Sequence, residues 1–541
     1  MRALQSCAKA LLLMVSGAFS NYGQTPIYQV LDPRGALPAV DRIPLAARVP
    51  NLSGKHIYVI KSWAGNSGFD QTVLDLAKFL EVRGAVATIA DRNVAYSQDD
   101  PKLWAEMKSR QAAGFIYVAA ASSSTTSYAF KWSAKLEHDG IPGVVVAFRQ
   151  LASVGETTNQ REGAPVRSVL FSYPVTAMAP AAYEADLSAA VQALLTPVTA
   201  VETRTGKIEP KAAPKIVIEG DITAVEESFH ELGLTDGLPI VPPTEALVAQ
   251  MLKGTSHPPE EIVAEQFYPE GLRVTVREVA INAVMAGCLP AHMPVLLAVI
   301  EAFQKNNLNS MLRSTNSFSF MEVVNGPIAR DLGMNSGVNA IGPGNRANSV
   351  MGRALRLFII NLGGGKPGTN IMAVIGNNTG HGFMFAENEE ASPWEPLSVS
   401  KGFPRGANTL TLFSGGWSHS GNYNLGSEFV RVAHDIARFE FPMGATVIIS
   451  PQRAEALKRE GLSKADAIDF LWRNAVLPLG ELRKERFFRE TQATADHPDS
   501  ELAQVYPKGT LEIVVAGGDA APMMQAWHMY RPVTVSIDKW R

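Results

Sequence analysis

Residues 54–90, GKHIYVIKSWAGNSGFDQTVLDLAKFLEVRGAVATIA, decide the fold. Positions 56–60 are a β-branched and aromatic run of strand length, positions 71–84 space their apolar residues three and four apart as a helix does, and positions 85–90 are strand-like again. A strand that returns through a helix pairs parallel to its predecessor. The alternation continues with a helix over 102–112, a strand over 114–121, a helix over 126–138, a strand over 143–148 after Pro142, a strand over 167–172 and a helix over 181–195. This is the pattern of an α/β domain with a doubly wound parallel sheet, covering residues 55–197. Residues 198–217 lack apolar periodicity and are punctuated by Pro210 and Pro214, which predicts a linker; residues 218–541 then form a larger α+β domain.

At 541 residues the chain is long enough for two or three cores. Apolar residues make up 46% and charged residues 19%, with a net charge of -3 and no long like-charge block, which gives no electrostatic footprint for nucleic acid. Cys7 and Cys288 are the only cysteines, so no disulfide framework exists. Residues 1–20 carry Arg2 and Lys9, an apolar run over 10–15, and small residues up to Ser20, as a signal peptide does. The reading is export to the periplasm or medium; an organellar presequence and a misassigned start on a cytoplasmic protein are the alternatives. Residues 21–54 are an N-terminal extension. No other run approaches the roughly 18 apolar residues of a membrane span.

In an open α/β sheet, ligands bind where loops leave the carboxyl ends of strands. Residues 61–70 offer Lys61, Asn66 and Ser67 there, and residues 122–127, SSSTTS, put six hydroxyls before a helix. Ser122 and Thr125 either cap that helix or contact an anionic ligand at its N-terminus.

The order of residues 54–70, 115–148 (FIYVAAASSSTTSYAFKWSAKLEHDGIPGVVVAF) and 171–178 (FSYPVTAM) resembles the UGSC family, a group of cysteine or selenocysteine proteins. The family signature, a redox residue followed by Gly-Ser-Cys-Thr-Ser-Trp, falls on residues 122–128, where Ser122 and Thr125 stand at the two redox positions. The family's His-Pro becomes Tyr173-Pro174. Thiol chemistry implied by the resemblance is closed to these hydroxyls, which form neither thiolate nor disulfide. Residues 235–244 (TDGLPIVPPT), 275–303 and 325–397 resemble the longer partner region fused to such domains.

That last stretch holds the charged constellations. Residues 335–356 combine Asn335, Ser336 and Asn339 with Arg346, Arg353 and Arg356, and an arginine stripe beside a glycine loop suits a carboxylate or phosphate. NLGGGKPG (361–368) fits neither the Walker nor the dinucleotide pattern, leaving a glycine turn or a clamp through Lys366. Glu387, Glu389, Glu390 and Glu395 crowd together just after His381, an arrangement for proton transfer or, with weaker pattern support, for a divalent cation. Cys288, followed by His292, is either a buried structural residue or a nucleophile beside a helix N-terminus. Neither a cofactor nor a metal is specified.

Together these readings give an expectation: a lyase or hydrolase acting on a small polar or anionic molecule. Glu387, Glu389 and His381 would exchange protons, while Arg346 and Arg353, aided by Asn335, Ser336, Asn339 and Lys366, would hold the anion in the same site. Two other readings stand beside it, a non-catalytic or regulatory partner of a cysteine-bearing paralogue and a thiol enzyme using Cys288. The expected partners are a small-molecule substrate and a second subunit, either identical or paralogous.

Overall fold

The computed structural model describes residues 27–62, 70–209, 216–219, 221–306, 308–423, 429–484 and 492–541. The signal-like segment, Asn66 and Ser67 lie outside the described residues.

The N-terminal half runs β1 (His56–Lys61), α1 (Asp70–Glu81), β2 (Val86–Asp91), α2 (Pro101–Ser109), β3 (Gly114–Val118), α3 (Ser123–His138), β4 (Gly143–Phe148), α4 (Ala152–Glu162), β5 (Ser168–Phe171) and α5 (Pro180–Leu195). Its five strands are all parallel, in the order β2-β1-β3-β4-β5. Side chains alternate across the sheet: Val59, Ile116 and Val144 pack with Leu76 of α1 and Leu187 of α5, while Tyr58, Phe115 and Val145 pack with Met107 of α2 and Leu136 of α3. Strand order reverses between β1 and β3, which puts Ser122 and Thr125 at the switch point where such folds bind ligands. Helix α4 has no strong sequence signal because its buried face includes Thr158 and Arg161.

One segment inside the expected linker and one that straddles its end are paired strands. Lys207–Ile208 pairs with Val40–Asp41, and Ile216–Glu219 pairs with Ile27–Val30. The N-terminal extension thereby becomes a strap across both halves. Asn282 Nδ2 donates to Pro33 O at 2.8 Å and Gly35 N donates to Asn361 O at 3.1 Å. Further on, Ala46 N and Arg48 both reach the buried Glu137 carboxylate of α3, at 2.7 and 2.9 Å.

The C-terminal half contributes α6 (Val276–Ala286), α7 (Met293–Lys305), β6 (Ser319–Asn325), α8 (Arg346–Leu357), β7 (Met384–Ala386), β8 (Thr409–Tyr423), β9 (Ala445–Ile449), β10 (Leu511–Val515) and β11 (Met524–Ser536). Its six-stranded sheet has the order β7-β6-β8-β11-β9-β10; β6 is parallel to β7, β9 is parallel to β10, and the other pairs are antiparallel. Helices α6, α7 and α8 cover one face. Along β6, Phe320 and Val324 join the core beneath these helices and Met321 and Val323 join the opposite one, so the period of two turns Glu322 toward the helical side. Between the halves lies Arg313, fully buried, which donates to Pro269 O at 2.6 Å and Glu270 Oε1 at 2.9 Å and stands 3.5 Å from Ser123 Oγ of α3. Met372 packs against the N-terminal core.

Candidate functional site

A narrow cleft opens where β6, the last turns of α8 and the loop of residues 371–383 meet, with about 510 Å³ of atom-free space, its mouth included. A glycine contact makes room for it. A Cβ on Gly352 of α8 would stand 3.2 Å from the amide nitrogens of Phe383 and Met384, and Gly382, at φ +132°, faces it from the loop. Without side chains at these positions the helix lies directly on the entry to β7. The loop is held by Asn377, whose Nδ2 donates to Ser317 O at 2.8 Å and Gly416 O at 2.7 Å.

Glu322 and Arg356 are the only titratable side chains among the residues lining this cleft. Glu322 is 1% exposed, and its Oε2 has no hydrogen-bond partner. Burial raises its carboxyl well above the ordinary range, opposed only by its own backbone N–H. Burial without a charged partner thus favours its protonated form, the state in which a carboxyl can donate. Arg356 is partly buried and forms no hydrogen bond or ion pair among the described residues. Burial lowers its pKa while Asp236 raises it, and an arginine remains cationic through such shifts. A cation with its donors free and a protonated acid thus share one apolar cleft, walled by Phe318, Phe320, Leu355 and Phe383.

The arginines of the stripe have separate fates. Arg353 is held by Asp236 through Nε and Nη2 at 2.8 Å each, and exposed Arg346 donates to Gly287 O at 3.2 Å. Glu387 and Glu389 line an open depression to which neither Arg346 nor Arg353 contributes. Glu387 Oε2 accepts from Asn325 Nδ2 at 2.7 Å and Leu397 N at 2.6 Å, with Lys464 Nζ 3.3 Å from Oε1. Glu389 Oε1 accepts from Asn325 Nδ2 at 2.9 Å and Gly326 N at 2.7 Å. Both carboxylates, with Ser336, line a second and more open depression, while exposed His381 stands apart from them.

Asn335 and Asn339 fold their side chains back on their own loop, onto Val338 O at 2.9 Å and Pro343 O at 2.7 Å. Lys366 is exposed on a glycine turn whose Gly363 approaches Tyr268 O too closely for any side chain; an added Cβ would be 2.2 Å away. Ser122 caps α3, accepting from Thr125 N at 3.2 Å, and its Oγ lies 2.8 Å from Thr125 Oγ1. Cys288 is buried and its thiol donates to Val350 O at 3.4 Å. Burial pushes the thiol up, outweighing the nearby Arg346 and Arg353, so it is no thiolate at neutral pH. His292, drawn down to about 4 by burial and by Arg346, accepts from Leu289 N at 3.1 Å instead of serving the thiol. Among the described residues no group of His, Cys, Asp and Glu has the arrangement of a metal site, and no helix is long and apolar enough to cross a membrane.

Sequence reasoning missed Glu322 and did not separate Arg356 from its neighbours. The available signal was a lone glutamate inside SFMEVV, a run otherwise fit for a strand buried on both faces.

Residues 29–200 match the family model described as the UGSC family. No curated protein and no solved structure matches the chain.

Proposed function

We propose that this chain, which belongs to the UGSC family through its residues 29–200, is an acid/base enzyme of lyase or hydrolase type acting on a small anionic molecule in the Glu322–Arg356 cleft. The observation that carries this reading is the pairing, in one cleft, of an enclosed carboxyl whose Oε2 has no hydrogen-bond partner and an arginine without an ion-pair partner. Buried polar groups are ordinarily satisfied, and perturbed acids collect at functional sites. Arg356 offers two parallel N–H donors to an anion. Glu322 delivers its proton to the leaving group as the substrate bond breaks and is left as a carboxylate. It regains a proton from substrate carbon in a lyase or from attacking water in a hydrolase. Glu387, bonded by Asn325, Leu397 N and Lys464, and Glu389, whose Oε1 is bonded by Asn325 and Gly326 N, fix the neighbouring loop in this reading.

The test is consumption of a metabolite from an extract incubated with the protein, followed by mass spectrometry. Glu322→Gln keeps the shape but cannot release a proton, and should slow the reaction by about a hundredfold to ten-thousandfold. Turnover undiminished in that variant would overturn the assignment.

A further inference from the structure

Resting on that reading, we infer that the cleft takes a small monocarboxylate with an apolar body, its carboxylate on Arg356 and its reacting atom toward Glu322. Four observations carry this. The first is charge balance. Arg356 is the single cation lining the cleft, and the other titratable group, Glu322, is fully enclosed with no cation paired to it, which favours its neutral form. One negative charge neutralises the occupied site, whereas a dianion leaves an uncompensated charge beside apolar walls, which is strongly unfavourable.

The second is donor geometry. A planar guanidinium with no protein partner matches a planar carboxylate through two parallel bonds. A phosphate ordinarily needs more donors, such as a glycine-rich nest of amides, and the amides of Gly380 and Gly382, on the glycine loop that lines this cleft, are already donated to Asn377 O and Thr379 O. The third is the wall: Phe318, Phe320, Leu355, Ile359, Ile371 and Phe383 offer apolar surface, with Asn316, Ser319 and Thr379 as the neutral polar side chains beside them. A polyhydroxylated or second charged group finds few partners there.

The fourth is separation. Glu322 and Arg356 line the same cleft but form neither a hydrogen bond nor an ion pair with each other. The two groups are therefore not an ion pair awaiting disruption, and a ligand has to extend from one to the other. The narrowness of the cleft limits that ligand to a small one.

The experiment is ligand-induced thermal stabilisation of the full chain at neutral pH with butanoate, benzoate, succinate and inorganic phosphate, repeated in Arg356→Gln and Arg356→Lys. Circular dichroism checks that each variant folds. Butanoate or benzoate should raise the melting temperature, and succinate and phosphate should bind about tenfold more weakly or worse. Arg356→Gln should abolish the shift, and Arg356→Lys, which keeps the charge without the planar fork, should reduce it. If succinate or phosphate binds through Arg356 as well as or better than the monocarboxylates, this inference falls while the anion site stands. If no anion stabilises the protein in an Arg356-dependent way, both fall. Should Arg356→Gln fail to fold, Arg356→Lys alone decides: an undiminished monocarboxylate shift in it overturns the bidentate seat.

Discussion

Arg353 grips Asp236 through two parallel hydrogen bonds of 2.8 Å, while Arg356, three residues further along the same helix, has no partner among the described residues. One arginine fastens the helix to residues 235–244, and the other is left to face the cleft. Burial opposes ionisation of Asp236, yet the hydrogen bonds and charge of Arg353 hold its carboxyl below the ordinary range. Asp236→Asn leaves the guanidinium, 14% exposed, without its counter-charge, and should cost about 3–5 kcal/mol in denaturant unfolding. A folded pKa below the unfolded one also means that this stabilisation is present above the ordinary carboxyl range and fades as pH falls through the folded value. Wild type should therefore lose its advantage over Asp236→Asn in acid. An equal difference at every pH would contradict the pairing.

Glu322 has the opposite sign. Its folded pKa lies above the unfolded one, so the native state binds the extra proton and stability falls as pH rises from the ordinary carboxyl range toward the raised folded value. Within that window the slope approaches about 1.4 kcal/mol per pH unit for one proton. Glu322→Gln, unable to titrate, should be no more stable than wild type in acid and more stable at neutral and alkaline pH. Unfolding curves of both proteins across that range test this, and parallel profiles would show that Glu322 is not the buried acid described.

The contrast between these two carboxyls shows what a sequence conveys. Strands β1, β3 and β4 were legible because their apolar runs are local and the helices between them are periodic. The strands within and straddling the end of the expected linker were not, since Ile216–Glu219 owes its conformation to a partner near the chain start, Ile27–Val30. Spacing along α8 placed Arg346 and Arg353 on a common face, but the group that occupies Arg353 lies 117 residues away in sequence. The charge cluster singles out Glu387 and Glu389, yet Glu387 is bonded by Asn325, Leu397 N and Lys464, and Glu389 Oε1 by Asn325 and Gly326 N. Glu322 gives no cluster at all; its importance comes from what the fold withholds from it.

Cys288 should be inert in the native protein. It is 7% exposed, its thiol is pushed up by burial, and His292 is turned to a backbone amide. Iodoacetamide at neutral pH should leave it unmodified, as read by peptide mass spectrometry, and label it after unfolding. Cys288→Ala should keep the activity that Glu322→Gln loses. Rapid native labelling, or loss of activity in Cys288→Ala with the fold intact, would return the thiol to the mechanism.

The hydroxyls at the positions where the resemblance places a redox pair support a converse experiment. Ser122 and Thr125 lie at the N-terminus of α3, at the switch point of the parallel sheet, with their side-chain oxygens 2.8 Å apart. That is the spacing of a C-x-x-C pair at a helix start, where the dipole and free amides stabilise a thiolate. Wild type has hydroxyls there and should form no bond with glutathione disulfide at either position. In the double variant Ser122→Cys/Thr125→Cys, the two side chains already meet, so oxidation requires little backbone movement. Glutathione disulfide should accept two electrons from the pair, leaving an internal disulfide and two molecules of glutathione, with the protein lighter by two hydrogens. Ser122→Cys alone can reach only a mixed disulfide. If the double variant stays as two independently alkylated thiols in a folded protein, the geometry of these positions is not that of a redox pair.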